Sequence, residues 1–191
     1  LVTKKTKCII PVHLFGYDAD IENIVNFAKK KGIKVIEDTA QAFGSRTKNG
    51  KYLGTLGDIN AFSNFPSKTL GGIGDGGFIT TNSPDLYKKI NMLKNHGQLQ
   101  TYDHHIVGVN SRLDSLNAFT INEKLKIFDN ISKSRKEFTE FYLDIFKEVE
   151  LVKIPNIDKN ILLNYFTITL PVDIRETFKF ELNKRLLFLK L

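Results

Sequence analysis

Between residues 7 and 38 the chain writes a strand, a helix and a second strand, and that order restricts the fold more than any other feature. "KCIIPVHLF" (7–15) has the apolar, β-branched character of a buried strand. "GYDAD" follows as a turn whose aspartates can cap a helix. Ile21, Ile24, Val25 and Ala28 then fall at helical spacing along "IENIVNFAKKK", and Gly32 stands where a C-cap glycine belongs. "IKVIED" reads as the second buried strand. Strand, crossover helix and strand within about thirty residues make a βαβ unit, which is almost always right-handed and implies a parallel sheet. The predicted class is α/β.

Further along, "INAFSNF" and "GGFITTN" read as short strands. Ser83 and Pro84 suit the N-cap and first position of a helix, "DLYKKINMLKN", which Gly97 can end. One long helical stretch is expected over roughly 113–148, because Leu113, Leu116, Phe119, Leu125, Phe128, Phe138, Tyr142 and Ile145 recur at three- and four-residue steps. "NYFTITLPVDIRETFKFELNKRLLF" looks like a strand, a turn and a helix that open a smaller second α/β domain. The expected division is 1–148 and 149–191. The chain starts on Leu1 and stops inside an amphipathic pattern, so it reads as a fragment truncated at both ends.

No apolar run approaches the roughly 20 residues that span a bilayer, and no secretory signal is present, so no membrane partner is expected. The lone Cys8 cannot form an internal disulfide, which suits a reducing cytoplasm, the expected location. The net charge of +7 could suggest nucleic acid. The lysines are scattered over outer helix faces, however, and no basic patch alternates with exposed aromatics. Nucleic acid is not the expected partner.

"FSNFPSKTLGGIGDGGFITTN" (62–82) sets Lys68 between an apolar run and glycines 71, 72, 74, 76 and 77. Burying an ammonium is costly, and glycines weaken helices and strands, so stability does not explain the pattern. Two mechanisms fit: a phosphate cradle, or a lysine whose amine is the reagent. A P-loop places its lysine after the glycines, and a dinucleotide fingerprint needs a helix immediately afterwards; both features are missing. No metal site is expected, since His104 and His105 are adjacent and no further ligand stands at a clear spacing. His13 is more readily a hydrogen-bonding residue near a strand end. A Schiff-base lysine remains, and pyridoxal phosphate (PLP) would also need a carboxylate for its ring nitrogen and donors for its phosphate. Asp38 ends a predicted parallel strand, where ligands bind in such sheets. Ser63 lies five residues before Lys68 and can donate to an anion.

"PVHLFGYDAD", "VIEDTAQAFGS", "FSNFPSKTLGGIGDGGFITTN", "LKNHG" and "VGVNSRLDSLNAF" resemble, in order, the motifs of the DegT/DnrJ/StrS sugar aminotransferases, over about residues 9–128. That resemblance implies PLP-dependent transferase fold type I: part of a large, mostly parallel sheet domain, and the start of a small C-terminal domain. It implies that Lys68 carries PLP as an imine, that Asp38 pairs with the pyridine nitrogen and that Gln41 sits against the ring or its hydroxyl. Ser63 would bind the phosphate, and Asn110 would reach the phosphate of a neighbouring subunit in a homodimer with shared active sites. Arg112 would approach the substrate or form a structural salt bridge. The implied reaction moves an amino group from glutamate to a nucleotide-linked keto sugar, in amino sugar and polysaccharide biosynthesis. "YDHHIVGVNSRLD" and "FPSK" look most like the branch acting on UDP-linked 3-keto sugars. A PLP-dependent sugar dehydratase is the first alternative, although the dehydrating branch carries histidine in place of the lysine. A non-catalytic or regulatory relative of the same fold is the second.

Overall fold

In the computed structural model, which describes residues 1–186, the expected βαβ unit consists of β1 (Cys8–Ile9), α1 (Ile21–Lys31) and β2 (Lys34–Asp38). β1 and β2 run parallel. The strand expected over 7–15 is shorter than its composition suggests. Pro11 has no N–H to donate, so after Ile9 the pairing resumes only as a bridge between Val12 and Asp38, and Leu14–Gly16 form a single 3₁₀ turn. Asp18, not Asp20, satisfies the start of α1: its Oδ1 accepts the Ile21 N–H at 3.0 Å. Gly32 ends the helix with a φ of 64°, and its N–H reaches the carbonyls of Ala28 and Lys29.

The apolar stripe of α1 buries Ile21 and Ala28 against Ile33, Val35, Ala42 and Leu53, with Ile9, Ile24, Val25 and Leu56 around them. Each fully buried aliphatic side chain contributes about 1.5–3 kcal/mol, so this cluster fixes β2 against its helix. β3 (Ile59–Ser63) pairs parallel with β2, and β4 (Gly77–Thr80) pairs antiparallel with β3. The sheet order is β1-β2-β3-β4, mostly parallel with one antiparallel edge.

Ser83 caps α2 (Pro84–Lys94) as expected, its hydroxyl accepting the Leu86 N–H. A small hairpin of β5 (Gln98–Gln100) and β6 (Asp103–His104) follows. The single long helix expected over 113–148 is two helices, α3 (Ser115–Lys126) and α4 (Phe128–Phe146). They separate at Ile127, whose φ and ψ of −112° and 13° are not helical. At this break the Phe128 ring stands edge-on to Phe43 with centroids 4.8 Å apart, a contact that helical periodicity cannot anticipate.

α5 (Val172–Leu186) matches the last expected helix, whose final residues, 187 and 188, lie outside the described residues. The strand expected before it is only a bridge between Lys153 and Thr169. Residues 160–164 instead hydrogen-bond to the loop that follows β2 and to Phe15. Arg46 N–H donates to Asn160 O at 2.9 Å, and Leu162 N–H donates to Ser45 Oγ at 2.9 Å. Leu162 and Leu163 are buried there. These bonds satisfy backbone groups that burial would otherwise leave unpaired.

Candidate active site

Side chains alternate along β2 and β3, so the strand ends present two different faces. Asp38 lies opposite Ala61, with Ser63 two residues further along the same face; Glu37 lies opposite Asn60 on the other. Asp38 is half-buried and its carboxylate accepts the Ala40 N–H at 3.1 Å. Lys68 is also half-buried, in a turn closed by its own N–H on the Phe65 carbonyl at 2.9 Å. Among the described residues neither Asp38 nor Lys68 belongs to an ion pair. Ser63 Oγ accepts the Phe65 N–H at 3.2 Å, which leaves its own proton to donate.

Gln41 follows β2 in a tight turn, and its Oε1 accepts the Phe15 N–H at 2.8 Å. Its amide NH2 remains for another partner. Phe15 has a φ of 60°, a left-handed conformation that costs about 1–3 kcal/mol in a side chain of this size. The bonds from Phe15 N–H to Gln41 and from Asn164 N–H to Phe15 O hold it there. Asn110 and Arg112 belong to another segment, laid along the end of α2. Asn110 bridges to Asn95, and Arg112 Nη1 donates to Asn95 Oδ1 at 3.0 Å; both residues are exposed. Arg112 therefore engages a neutral amide here rather than a salt bridge.

Residues not anticipated from the sequence build the frame around these groups. None of the glycines between 71 and 77 has a positive φ; close approach explains most of them. A Cβ at Gly71 would strike the Pro66 carbonyl, at Gly72 the Asn117 amide, and at Gly77 the Phe62 carbonyl. Gly74 alone of the run faces open space. Asn117 is buried and bonds three times to the loop: its Oδ1 accepts the Ile73 N–H, and its Nδ2 donates to the carbonyls of Gly74 and Asp75. Lys124 donates to the Gly71 carbonyl at 2.6 Å. Asn64 donates to the Leu70 carbonyl at 3.0 Å and accepts the Gly72 N–H on its own carbonyl. The loop behind Lys68 is thus tied to both β3 and α3.

His13 meets its expectation as a hydrogen-bonding residue. Its Nδ1 accepts the Ala19 N–H, so Nε2 carries a proton and donates to Glu37 Oε2 at 3.0 Å, with both side chains fully buried. Burial pushes the Glu37 carboxyl up, but the donors His13, Gly54, Gly57 and Leu56 outweigh it and hold the group below its ordinary range. The "ED" pair at a predicted strand end was the available signal: alternation requires that one carboxylate face inward.

Three buried polar atoms among the described residues have no hydrogen-bond partner: Thr39 Oγ1, Asn64 Oδ1 and Asn164 Nδ2. Thr39 follows Asp38, Asn64 follows Ser63, and the Asn164 side chain accepts from Thr69, the residue after Lys68. Such atoms are costly without a ligand or water. An unpaired amine, a carboxylate, a free hydroxyl and an amide donor are the set that PLP requires, so the residues present fit that group. Among the described residues no cluster of His, Cys, Asp and Glu could hold a metal ion, and no helix is long and apolar enough to cross a membrane.

The profile of the DegT/DnrJ/EryC1/StrS aminotransferase family matches residues 1–187. A pleiotropic regulatory protein of Geobacillus stearothermophilus is 44% identical over 147 residues, 77% of this chain and 39% of that protein. A UDP-2-acetamido-2-deoxy-3-oxo-D-glucuronate aminotransferase of Pseudomonas aeruginosa is 44% identical over 177 residues, 92% of this chain and 48% of that protein. The crystal structure of S. venezuelae DesV in complex with a ketimine intermediate superimposes with a TM-score of 0.89 at 32% identity, covering 96% of this chain and 49% of that one. The chain spans less than half the length of each of these proteins. Its architecture is the expected α/β fold type I of the PLP-dependent aminotransferases. From motifs, fold and profile alike, the chain belongs to the DegT/DnrJ/EryC1/StrS aminotransferase family.

Proposed function

We propose that the protein carrying this chain is a cytoplasmic PLP-dependent aminotransferase that moves an amino group from glutamate to a nucleotide-linked keto sugar. A UDP-linked 3-keto sugar is the favoured acceptor, in keeping with the Pseudomonas relative's name. We assign residues 1–148 to its large domain and those from 149 onward to the small one. The observation that carries the reading is a pair of half-buried charges, Asp38 at the end of β2 and Lys68 in the turn after the neighbouring β3, neither in an ion pair among the described residues.

When bound, PLP supplies a carbonyl for imine exchange and a ring that takes up an electron pair. Lys68 Nζ would hold the cofactor at rest and, once freed, would move a proton from the donor Cα to the cofactor carbon that receives the nitrogen, as general base and acid. The Asp38 carboxylate keeps a proton on the ring nitrogen. Gln41 packs against the ring with its amide NH2, and Ser63 donates its hydroxyl to the phosphate. Asn110, exposed on its own segment, would reach the phosphate held by a partner subunit, and Arg112 would approach the substrate. The Geobacillus relative's name favours a second reading, a regulator without catalysis; the presence of Lys68, Asp38, Gln41 and Ser63 together supports the enzyme. Borohydride reduction of the full-length protein with PLP, followed by peptide mapping, tests the cofactor lysine, and conversion of glutamate to 2-oxoglutarate separates the enzyme from the regulator. Label on Lys68 is expected; a label elsewhere, or none, overturns the aminotransferase assignment.

A further inference from the structure

Lys68 is bracketed on both sides by contacts to the same two consecutive residues. Ser67, just before it, shares a hydrogen bond with the Tyr165 hydroxyl at 3.1 Å. Thr69, just after it, donates its hydroxyl to Asn164 Oδ1 at 3.4 Å. The partners are 98 and 95 residues apart in sequence, so neither contact is a product of local chain geometry.

The pair is itself anchored. Asn164 and Thr69 are buried, and Leu162 and Leu163 before them are buried against the sheet domain. The Asn164 N–H donates to the Phe15 carbonyl at 2.9 Å, and the Tyr165 ring meets Phe15 edge-on with centroids 6.3 Å apart. Phe15 in turn donates to Gln41. From Gln41 through Phe15 and Asn164–Tyr165 to residues 67–69, the contacts form one continuous chain around the candidate site.

We propose that Asn164 and Tyr165 form a clamp that positions Lys68 by holding the residues on either side of it. The proposal rests on the reading of Lys68 as the cofactor lysine. Core packing does not account for Tyr165, which remains 42% exposed. Its hydroxyl shares one hydrogen bond with Ser67, in which either oxygen can be the donor. The hydrogen bond with Ser67 is the main cause holding this phenol below its ordinary range, and desolvation opposes it. The charges of Lys68, from the turn after β3, and Arg135, from α4, act in the same direction as the hydrogen bond. Arg135 is kept beside the clamp by its bond to the Leu163 carbonyl at 3.3 Å. A lysine that must accept a proton from carbon gains from being held in one place.

The test uses full-length protein prepared without cofactor, trace-labelled with acetic anhydride across a pH series. Mass spectrometry reads the labelling of Lys68, with Lys29 on α1 as the reference. Tyr165→Phe keeps the ring against Phe15 and deletes only the hydroxyl. Lys68 should then take up roughly threefold more label at every pH of the series, because the turn that keeps the amine half-buried is loosened. Lys29 should not change. Ser67→Ala should raise the labelling of Lys68 likewise, and it decides the matter if Tyr165→Phe does not fold. Labelling of Lys68 that is unchanged or lower in both variants overturns the clamp. Wild-type protein that takes up no PLP while the labelling increase persists overturns the aminotransferase reading alone.

Discussion

Glu37 and Asp38 are adjacent carboxylates at the end of one strand, and the fold treats them in opposite ways. Glu37 is fully buried and accepts the N–H groups of Gly54, Leu56 and Gly57 at 2.6–2.7 Å, and His13 Nε2 at 3.0 Å. Asp38 keeps partial access to solvent and accepts only the Ala40 N–H. A carboxylate whose acceptor sites are filled from within belongs to the frame. One left open at the carboxyl end of a parallel strand has its capacity free for a ligand. The same frame steadies Asp38: its N–H donates to the Pro11 carbonyl, and its carbonyl accepts the His13 N–H.

Separating activity from stability is the most direct way to break this contrast. Asp38→Asn in the full-length protein should cut transamination about a hundredfold or more, since one preorganised charge partner is worth roughly 3–4 kcal/mol of barrier. Its melting temperature should barely change, and the imine absorbance should persist. Near-normal turnover would make Asp38 a turn-forming residue and no more. Glu37→Ala should do the reverse. It leaves several buried donors unpaired and should cost about 3 kcal/mol of stability, read by urea unfolding. A variant that unfolds at the wild-type midpoint would show that Glu37 is not the clasp of the strand end.

The smallest effect is in acid. The folded Glu37 carboxyl lies below its ordinary value of 4.5, so its ionised form contributes stability that is fully present above that value. The contribution is lost as pH falls through the lowered folded value. Unfolding midpoints measured from neutral pH down into that window should therefore fall less steeply in Glu37→Gln than in wild type. Parallel slopes would mean that other groups, such as Asp58 with its Lys34 partner, account for the acid sensitivity.

Elements governed by neighbours in sequence were legible before any coordinates. The βαβ unit, the Gly32 cap, the Ser83–Pro84 start of α2 and the position of Lys68 between β3 and β4 all follow from spacing and turn chemistry within a few residues. The family motifs single out Asp38, Gln41 and Ser63, which lie at or just after the carboxyl ends of β2 and β3. What could not be read depends on which distant side chains meet. The expected long helix breaks at Ile127, where Phe128 meets Phe43 from the other end of the fold. The glycines after Lys68 suggested a special backbone, and they are there mainly because carbonyls and the Asn117 amide approach too closely for a Cβ. The periodic elements, their order and the chemistry available at the strand ends are written locally, because helix and strand signals act over three or four residues. Packing across the fold leaves Glu37 saturated and Asp38 open, and brings Asn164 and Tyr165 against the neighbours of Lys68. Those outcomes turn on burial and hydrogen-bond satisfaction across tens of residues, and no local pattern encodes them.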